Sequence, residues 1–262
     1  MTITKEDIKG INGRAFARNL RVSCSTCSLS ELCLPRGLNK ENLDKLDYII
    51  KNSPPIAKGN HLYLPGDDFK SLFAIRTGSA KVYVLNQSGE EQIIGFYFPG
   101  EVIGFDAISK EQYTCHAVAL ETLSYCKLPF EKMNMICAEI PEFQDQMFRL
   151  LSDEISNEHK MLLTLSKRTA DEKLAIFLIS LSERFAKLGY SSTVYNLPMS
   201  RQETANYLGL AVETVSRIFT RFQKNGLIGI DKKILSIKDK DALYALSGYS
   251  EKKINGYNKE ML

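Results

Sequence analysis

The sequence predicts an α+β protein with an N-terminal cysteine-rich arm, an antiparallel β-roll, a long dimerisation helix and a C-terminal winged helix-turn-helix. Three observations predict it. Residues 56–128 fall into short alternating apolar runs cut by Gly, Asp and Pro turns, as in a roll or barrel. Residues 141–165 place apolar side chains at alternating spacings of three and four, and residues 200–238 read as two short helices followed by a hairpin.

The 262 residues are 44% hydrophobic, enough for two compact units and a connector, and they contain no Trp, low-complexity tract or internal repeat. Apolar runs such as Ile93 to Phe98 are far shorter than a membrane span, and the opening MTITKEDIKG lacks the apolar stretch of a signal peptide. A cytoplasmic location without a membrane partner is therefore expected. Residues 1–170 carry 20 Lys+Arg against 21 Asp+Glu, and residues 171–262 carry 14 against 10. The basic excess sits at the C-terminal end, as a small DNA-binding unit would have it, although a solvated surface explains a difference of this size almost as well.

In chain order, residues 1–38 form a polar and basic arm without a clear apolar period, expected to be irregular and ordered by whatever its cysteines bind. From Asn39, NKENLDKLDYII puts Leu43, Leu46, Ile49 and Ile50 on one helical face, and Pro54-Pro55 stops it. HLYL, SLFAIR, SAKVYVL, QIIGFYF and CHAVAL are the candidate strands, separated by turns such as PGDD, RTGS, NQSGEE and FPGE. PFEKMNMICAEIPEF returns to helical spacing and completes a sensor unit over 39–140.

Residues 141–167 then make one long helix in which Phe148, Leu151, Ile155, Glu158, Leu162 and Leu165 form a coiled-coil seam with one carboxylate among apolar residues. The plainer reading is a helix packed on its own chain. The final unit spans 168–250 and a polar tail 251–262. Within that unit Ser200 and Glu203 form a capping box, RQETANYL runs to Gly209, and a second helix starts near Val212. Val215, Ile218, Phe219 and Phe222 share its inner face, opposite Glu213, Ser216, Arg217, Thr220 and Arg221. Arg can contact guanine O6 and N7 together, and Glu can accept from cytosine N4. An ordinary surface ion pair between Glu213 and Arg217 would explain the same spacing. The following GLIGIDKKILSI reads as a wing, which favours double-stranded DNA as the partner.

Six cysteines in a reducing compartment argue against disulfides, and three of them, Cys24, Cys27 and Cys33, lie within ten residues at gaps of two and five. Iron and zinc both use such spacing. A fourth ligand is open to Cys115, Cys126 and Cys137 or to His61, His116 and His159. Cys137 shares a helical face with Phe130 and Met133, and Cys115 lies in a candidate strand, so packing accounts for both.

These motifs resemble the Crp/Fnr family and, within it, the Fnr branch of oxygen-sensing anaerobic regulators. The resemblance covers nearly everything from Cys24 to Gly248. It rests on CSTCSLSELC for the cluster motif, ALETLSYCKLPFE for the segment with the fourth cysteine, and VETVSRIFTRFQ for the recognition helix. It implies a 4Fe-4S cluster held by Cys24, Cys27, Cys33 and Cys126, and a homodimer when that cluster is loaded. It also implies that Glu213, Ser216 and Arg217 read bases, with Val212 and Ser216 matching the Fnr branch where the Crp branch has Arg and Gly. The implied half-site is TTGAT, repeated in inverted orientation.

The resemblance further implies RNA polymerase as a partner, contacted by the turn containing Gly89 and Glu90, although any roll has such a polar hairpin tip. The roll is of the cyclic-nucleotide-binding kind. Gly100-Glu101 is retained, but YTCHAVAL stands where the Arg-Ser pair for the phosphate would be, so no cyclic nucleotide is expected. The activity implied is oxygen-responsive transcription activation and not catalysis. The rivals are a zinc-stabilised regulator indifferent to oxygen and a redox enzyme; the latter has no nucleotide-binding loop or catalytic triad pattern behind it.

Overall fold

The structure, a computed structural model, describes residues 23–248. The start of the predicted arm, residues 1–22, and the predicted tail lie outside the described residues. Helix α1 (Lys40–Ile49) opens on Asn39, whose side chain accepts from the Asn42 N–H at 2.9 Å. Its inner face buries Leu46 and Ile49, with Leu43 and Ile50 packed alongside, as the spacing predicts.

Eight strands follow: β1 (Lys51–Asn52), β2 (His61–Tyr63), β3 (Ser71–Thr77), β4 (Ala80–Leu85), β5 (Glu91–Tyr97), β6 (Val102–Ile103), β7 (His116–Ala119) and β8 (Ser124–Pro129). They form two four-stranded antiparallel sheets, ordered β1-β8-β3-β6 and β2-β7-β4-β5. Tyr63, Phe73, Ile75, Val82 and Tyr125 from both sheets meet in one core with Tyr113, whose ring stacks on Tyr63 at 3.9 Å. The five named runs are all strands, and β1, β6 and β8 join them. β1 and β6 have only two residues each, and β8 ends in Lys127-Leu128-Pro129, which carries no alternation. Cys115 immediately precedes β7 and does not lie within it.

Helix α2 (Met133–Glu139) leads into the 27-residue α3 (Pro141–Lys167), with Pro141 at its first turn. One face of α3 is buried on its own chain through Phe143, Gln146, Met147 and Thr164. The opposite face carries Phe148, Ile155 and Leu162 at 61%, 52% and 64% exposure, with Leu151 and Leu165 half-buried and Glu158 exposed. Phe148, Ile155 and Leu162 thus stand in solvent at heptad spacing along α3.

The C-terminal unit contains α4 (Ala170–Lys187), β9 (Val194–Asn196), α5 (Arg201–Leu208), α6 (Val212–Lys224), β10 (Ile228–Asp231), β11 (Ile234–Ile237) and α7 (Lys240–Ser247). Its core around Leu174, Leu178, Leu208 and Phe222 continues into the roll through Ile93, Phe96, Phe98 and Leu120. Polar contacts reinforce this junction. Asn206 of α5 covers the exposed edge of β5, accepting from Ile93 N–H at 2.7 Å and donating to the Glu91 carbonyl at 2.6 Å. Lys81 bridges Glu91 and Glu203, so the capping glutamate of α5 also ties the helix to the roll. No helix among the described residues is long and apolar enough to cross a membrane.

Candidate cysteine centre and nucleic-acid interface

The loop from Ser23 to Arg36 is coiled by successive short turns. Cys27 N–H bonds the Cys24 carbonyl at 3.3 Å, Ser30 N–H the Cys27 carbonyl at 3.2 Å, and Cys33 N–H the Leu29 carbonyl at 3.0 Å. This winding brings Cys24, Cys27 and Cys33 around one pocket. Cys126 lines the same pocket from β8, where it pairs with Asn52 of β1 on one side and Ala74 of β3 on the other. Leu29, Leu34, Ile50 and Ala74 form apolar walls, and Arg76 is the one charged residue in the lining.

Of the six alternative fourth ligands, only Cys126 lines the pocket. Cys115 is buried in the roll core, where its thiol bonds Asp106 at 3.4 Å and lies 3.9 Å from the Tyr63 hydroxyl. Cys137 is half-buried on α2, less enclosed than its helical face predicts. His116 stacks on Tyr83 at 4.5 Å with His61 beside it, and His159 is exposed on α3. Four cysteines thus line one pocket, and among the described residues no three Cys, His, Asp or Glu side chains form a group that could hold a single ion.

Burial pushes the Cys33 thiol up to about 12. It also raises Cys24, helped by the nearby Asp47 carboxylate, and Cys126, where the Arg76 guanidinium works in the opposite direction. Thiols of this kind stay protonated in the absence of a metal, so loading them releases protons. Three supporting residues escaped the sequence reading. Asp47 of α1 accepts from the Cys24 N–H at 2.5 Å and from the Ser23 hydroxyl. Gln146 of α3 donates to the Cys33 carbonyl at 3.2 Å, and Arg76 faces the thiols. For Gln146 a signal was available, since an amide between Phe143 and Met147 interrupts an apolar face.

In the C-terminal unit, the Ser200/Glu203 capping box starts α5, and Gly209, at φ 60°, stops it in the left-handed conformation that favours glycine. Leu210 and Ala211 complete the turn into α6. Val215, Ile218, Phe219 and Phe222 are buried, whereas Val212, Glu213, Ser216 and Arg217 all face solvent. The Ala211 cap offers no side-chain bond, so the first N–H groups of α6 point outward beside those four residues. Arg217 does not pair with the Glu213 carboxylate; its Nε donates to the Glu213 carbonyl at 3.3 Å. Arg221 is instead ion-paired with Asp171 of α4.

Strands β10 and β11 form the expected wing, with Lys232 and Lys233 exposed at its tip. The tip of the β4–β5 hairpin is held by Asn86, whose Oδ1 accepts from both Ser88 and Glu90 N–H at 2.9 Å, leaving Gly89 and Glu90 at the surface. Glu101 is engaged within the chain. Arg184 of α4 pairs with its carboxylate, donates to the Phe96 carbonyl at 2.5 Å and lies 4.5 Å over the Phe98 ring. Tyr97 donates to Glu154 of α3 at 2.6 Å beside this pair, and burial raises the Glu154 carboxyl.

Comparison with known proteins gives two family matches: "Bacterial regulatory proteins, crp family" over residues 197–228 and "Cyclic nucleotide-binding domain" over residues 55–139. The chain is 48% identical over 225 residues to the transcriptional activator protein FnrA of Stutzerimonas stutzeri, covering 86% of this chain and 92% of that one. It is 44% identical over 242 residues to the fumarate and nitrate reduction regulatory protein of Escherichia coli K12, covering 92% and 97%. Among solved structures, FixK2 from Bradyrhizobium japonicum shares the fold with a TM-score of 0.70 at 23% identity, over 77% of this chain and 99% of that one.

Proposed function

Since the chain belongs to the Crp/Fnr family and is a transcription regulator, not an enzyme, we propose that it activates transcription in response to oxygen through a 4Fe-4S cluster. Cys24, Cys27, Cys33 and Cys126 would hold the cluster. The observation that carries this reading is that four cysteines, three from the arm and one from β8, line a single apolar-walled pocket. Four cysteines are the ligand set of a 4Fe-4S cluster as they are of structural zinc, and metal analysis separates the two. When bound, the cluster supplies an oxygen-labile cross-link between the arm and the roll.

The remaining steps belong to the chain. With the arm fixed, α3 pairs with a second copy through Phe148, Leu151, Ile155, Leu162 and Leu165, while the two Glu158 carboxylates oppose one another across the seam. Dimerisation presents two copies of α6. Val212, Glu213, Ser216 and Arg217 of each copy meet one TTGAT half-site of an inverted repeat, which a monomer would occupy only weakly. Gly89 and Glu90 would meet RNA polymerase.

The test is anaerobic reconstitution with iron and sulfide, followed by an absorption spectrum and metal analysis, then sedimentation and operator binding before and after air. A brown protein that bleaches, dissociates and leaves the operator is expected. A colourless, zinc-containing protein with the same DNA affinity in air would establish the zinc-stabilised alternative.

Glu158→Ala should strengthen dimerisation of the metal-free protein by about threefold, the scale of one exposed charge interaction. Sedimentation equilibrium in air reads this directly, and an unchanged monomer fraction would mean that Glu158 does not face its symmetry mate. Cyclic AMP should not bind, because Arg184 occupies Glu101 and the phosphate lacks its Arg partner. A bound ligand at a hundred times its Kd would add about 2.7 kcal/mol of stability. A rise of several degrees in the thermal midpoint with cyclic AMP would overturn this.

A further inference from the structure

Gln146 is 2% exposed on the inner face of α3, among Phe143, Met147 and Leu34, where apolar side chains would be expected. Its amide donates to the Cys33 carbonyl at 3.2 Å, and its Oε1 meets no donor among the described residues. Among the described residues, that bond connects the cysteine loop to the helix bearing the exposed apolar seam. Phe148, the first seam residue, is two positions later, about 200° around the same turn of helix. The other end of the loop is held elsewhere, by Asp47 of α1 on the Cys24 N–H.

We infer that Gln146 is the positioning residue that transmits the state of the cysteine loop to the dimer seam, an inference resting on the cluster reading above. The apolar contacts of Leu34 with α3 tolerate small slips because dispersion and burial have no direction. The Gln146 bond is directional and is lost beyond about 3.5 Å. A displacement of the Cys33 carbonyl by less than an ångström therefore breaks it and leaves a buried amide with no partner on the described chain. The first turns of α3 must then shift to solvate that amide, and Phe148 moves with them. With the loop in place, the same amide holds α3 where its seam is formed.

The experiment uses the full chain, anaerobically reconstituted or metal-free, as parent and as Gln146→Met, which keeps length and volume. Gln146→Leu is the second variant should Met disturb folding, judged by circular dichroism. Each protein is read by absorption spectrum, iron content and dimer Kd in both forms. The expected result is an unchanged spectrum and iron content, with the ratio of metal-free to loaded dimer Kd reduced about fivefold, the worth of one net hydrogen bond. Equal shifts of both Kd values, leaving the ratio intact, would reduce Gln146 to a packing residue and overturn the inference. A variant that loses the cluster while the parent keeps it also overturns it, since the residue would then serve assembly and not transmission. A parent that takes up no cluster overturns the cluster reading itself, and the coupling with it.

Discussion

Replacing Cys126 with Ser is expected to abolish the visible absorption of the reconstituted protein and to lower its affinity for a two-half-site operator by about 100-fold, the scale lost when bivalent binding becomes monovalent. The cause is local. A cluster deprived of one of its four thiolates becomes labile, and a serine hydroxyl does not replace a thiolate as a soft ligand. The roll should survive, because Cys126 is half-buried and its backbone pairing with Asn52 and Ala74 does not depend on the side chain. Cys137→Ser is the control. Its thiol is half-buried on α2 and does not line the pocket, so spectrum and operator binding should both persist. The measurements are anaerobic absorption, iron analysis and operator titration, with thermal melting to establish that both variants are folded. A Cys126→Ser protein with a normal spectrum and full operator affinity would remove Cys126 from the ligand set.

Arg217→Ala should weaken binding to a TTGAT half-site by about 1 to 3 kcal/mol and relax discrimination chiefly at the guanine. Arg217 stands one turn into α6 on the solvent face; its Nε donates to the Glu213 carbonyl, and its guanidinium is in no ion pair among the described residues. Arg221, one turn further on, is held by Asp171 and should matter less. Lys232 and Lys233 at the wing tip supply the contrast. If they meet only phosphate, changing either to Ala should weaken all sequences alike and reduce the slope of log K against log salt by about 0.9. Cluster-loaded protein would be titrated anaerobically at several salt concentrations against the full site and against sites altered at each base. Equal loss for Arg217→Ala on every site would show that it grips the backbone without reading the guanine.

The local elements were legible in the sequence because their causes are short-range. The capping box at Ser200/Glu203, Gly209 as a helix stop, and the spacing of Val215, Ile218, Phe219 and Phe222 are all settled within a turn or two of chain. The alternation in β4 is likewise a property of consecutive residues. The clustering of Cys24, Cys27 and Cys33 was legible for the same reason. Spacing left the fourth partner open and the resemblance alone pointed to Cys126; the fold shows that Cys126, about ninety residues later, borders their pocket while Cys115 is enclosed in the roll core. That choice follows from β8 lying between β1 and β3, a pairing for which the sequence of β8 gives no alternating signal. The engagement of Glu101 by Arg184, the covering of the β5 edge by Asn206 and the bond from Gln146 to Cys33 are of the same kind. Each joins residues at least 83 positions apart. Periodicity and capping describe how a chain solvates and satisfies its nearest neighbours, but partners at such separations are chosen by how whole elements pack, and no local pattern encodes that.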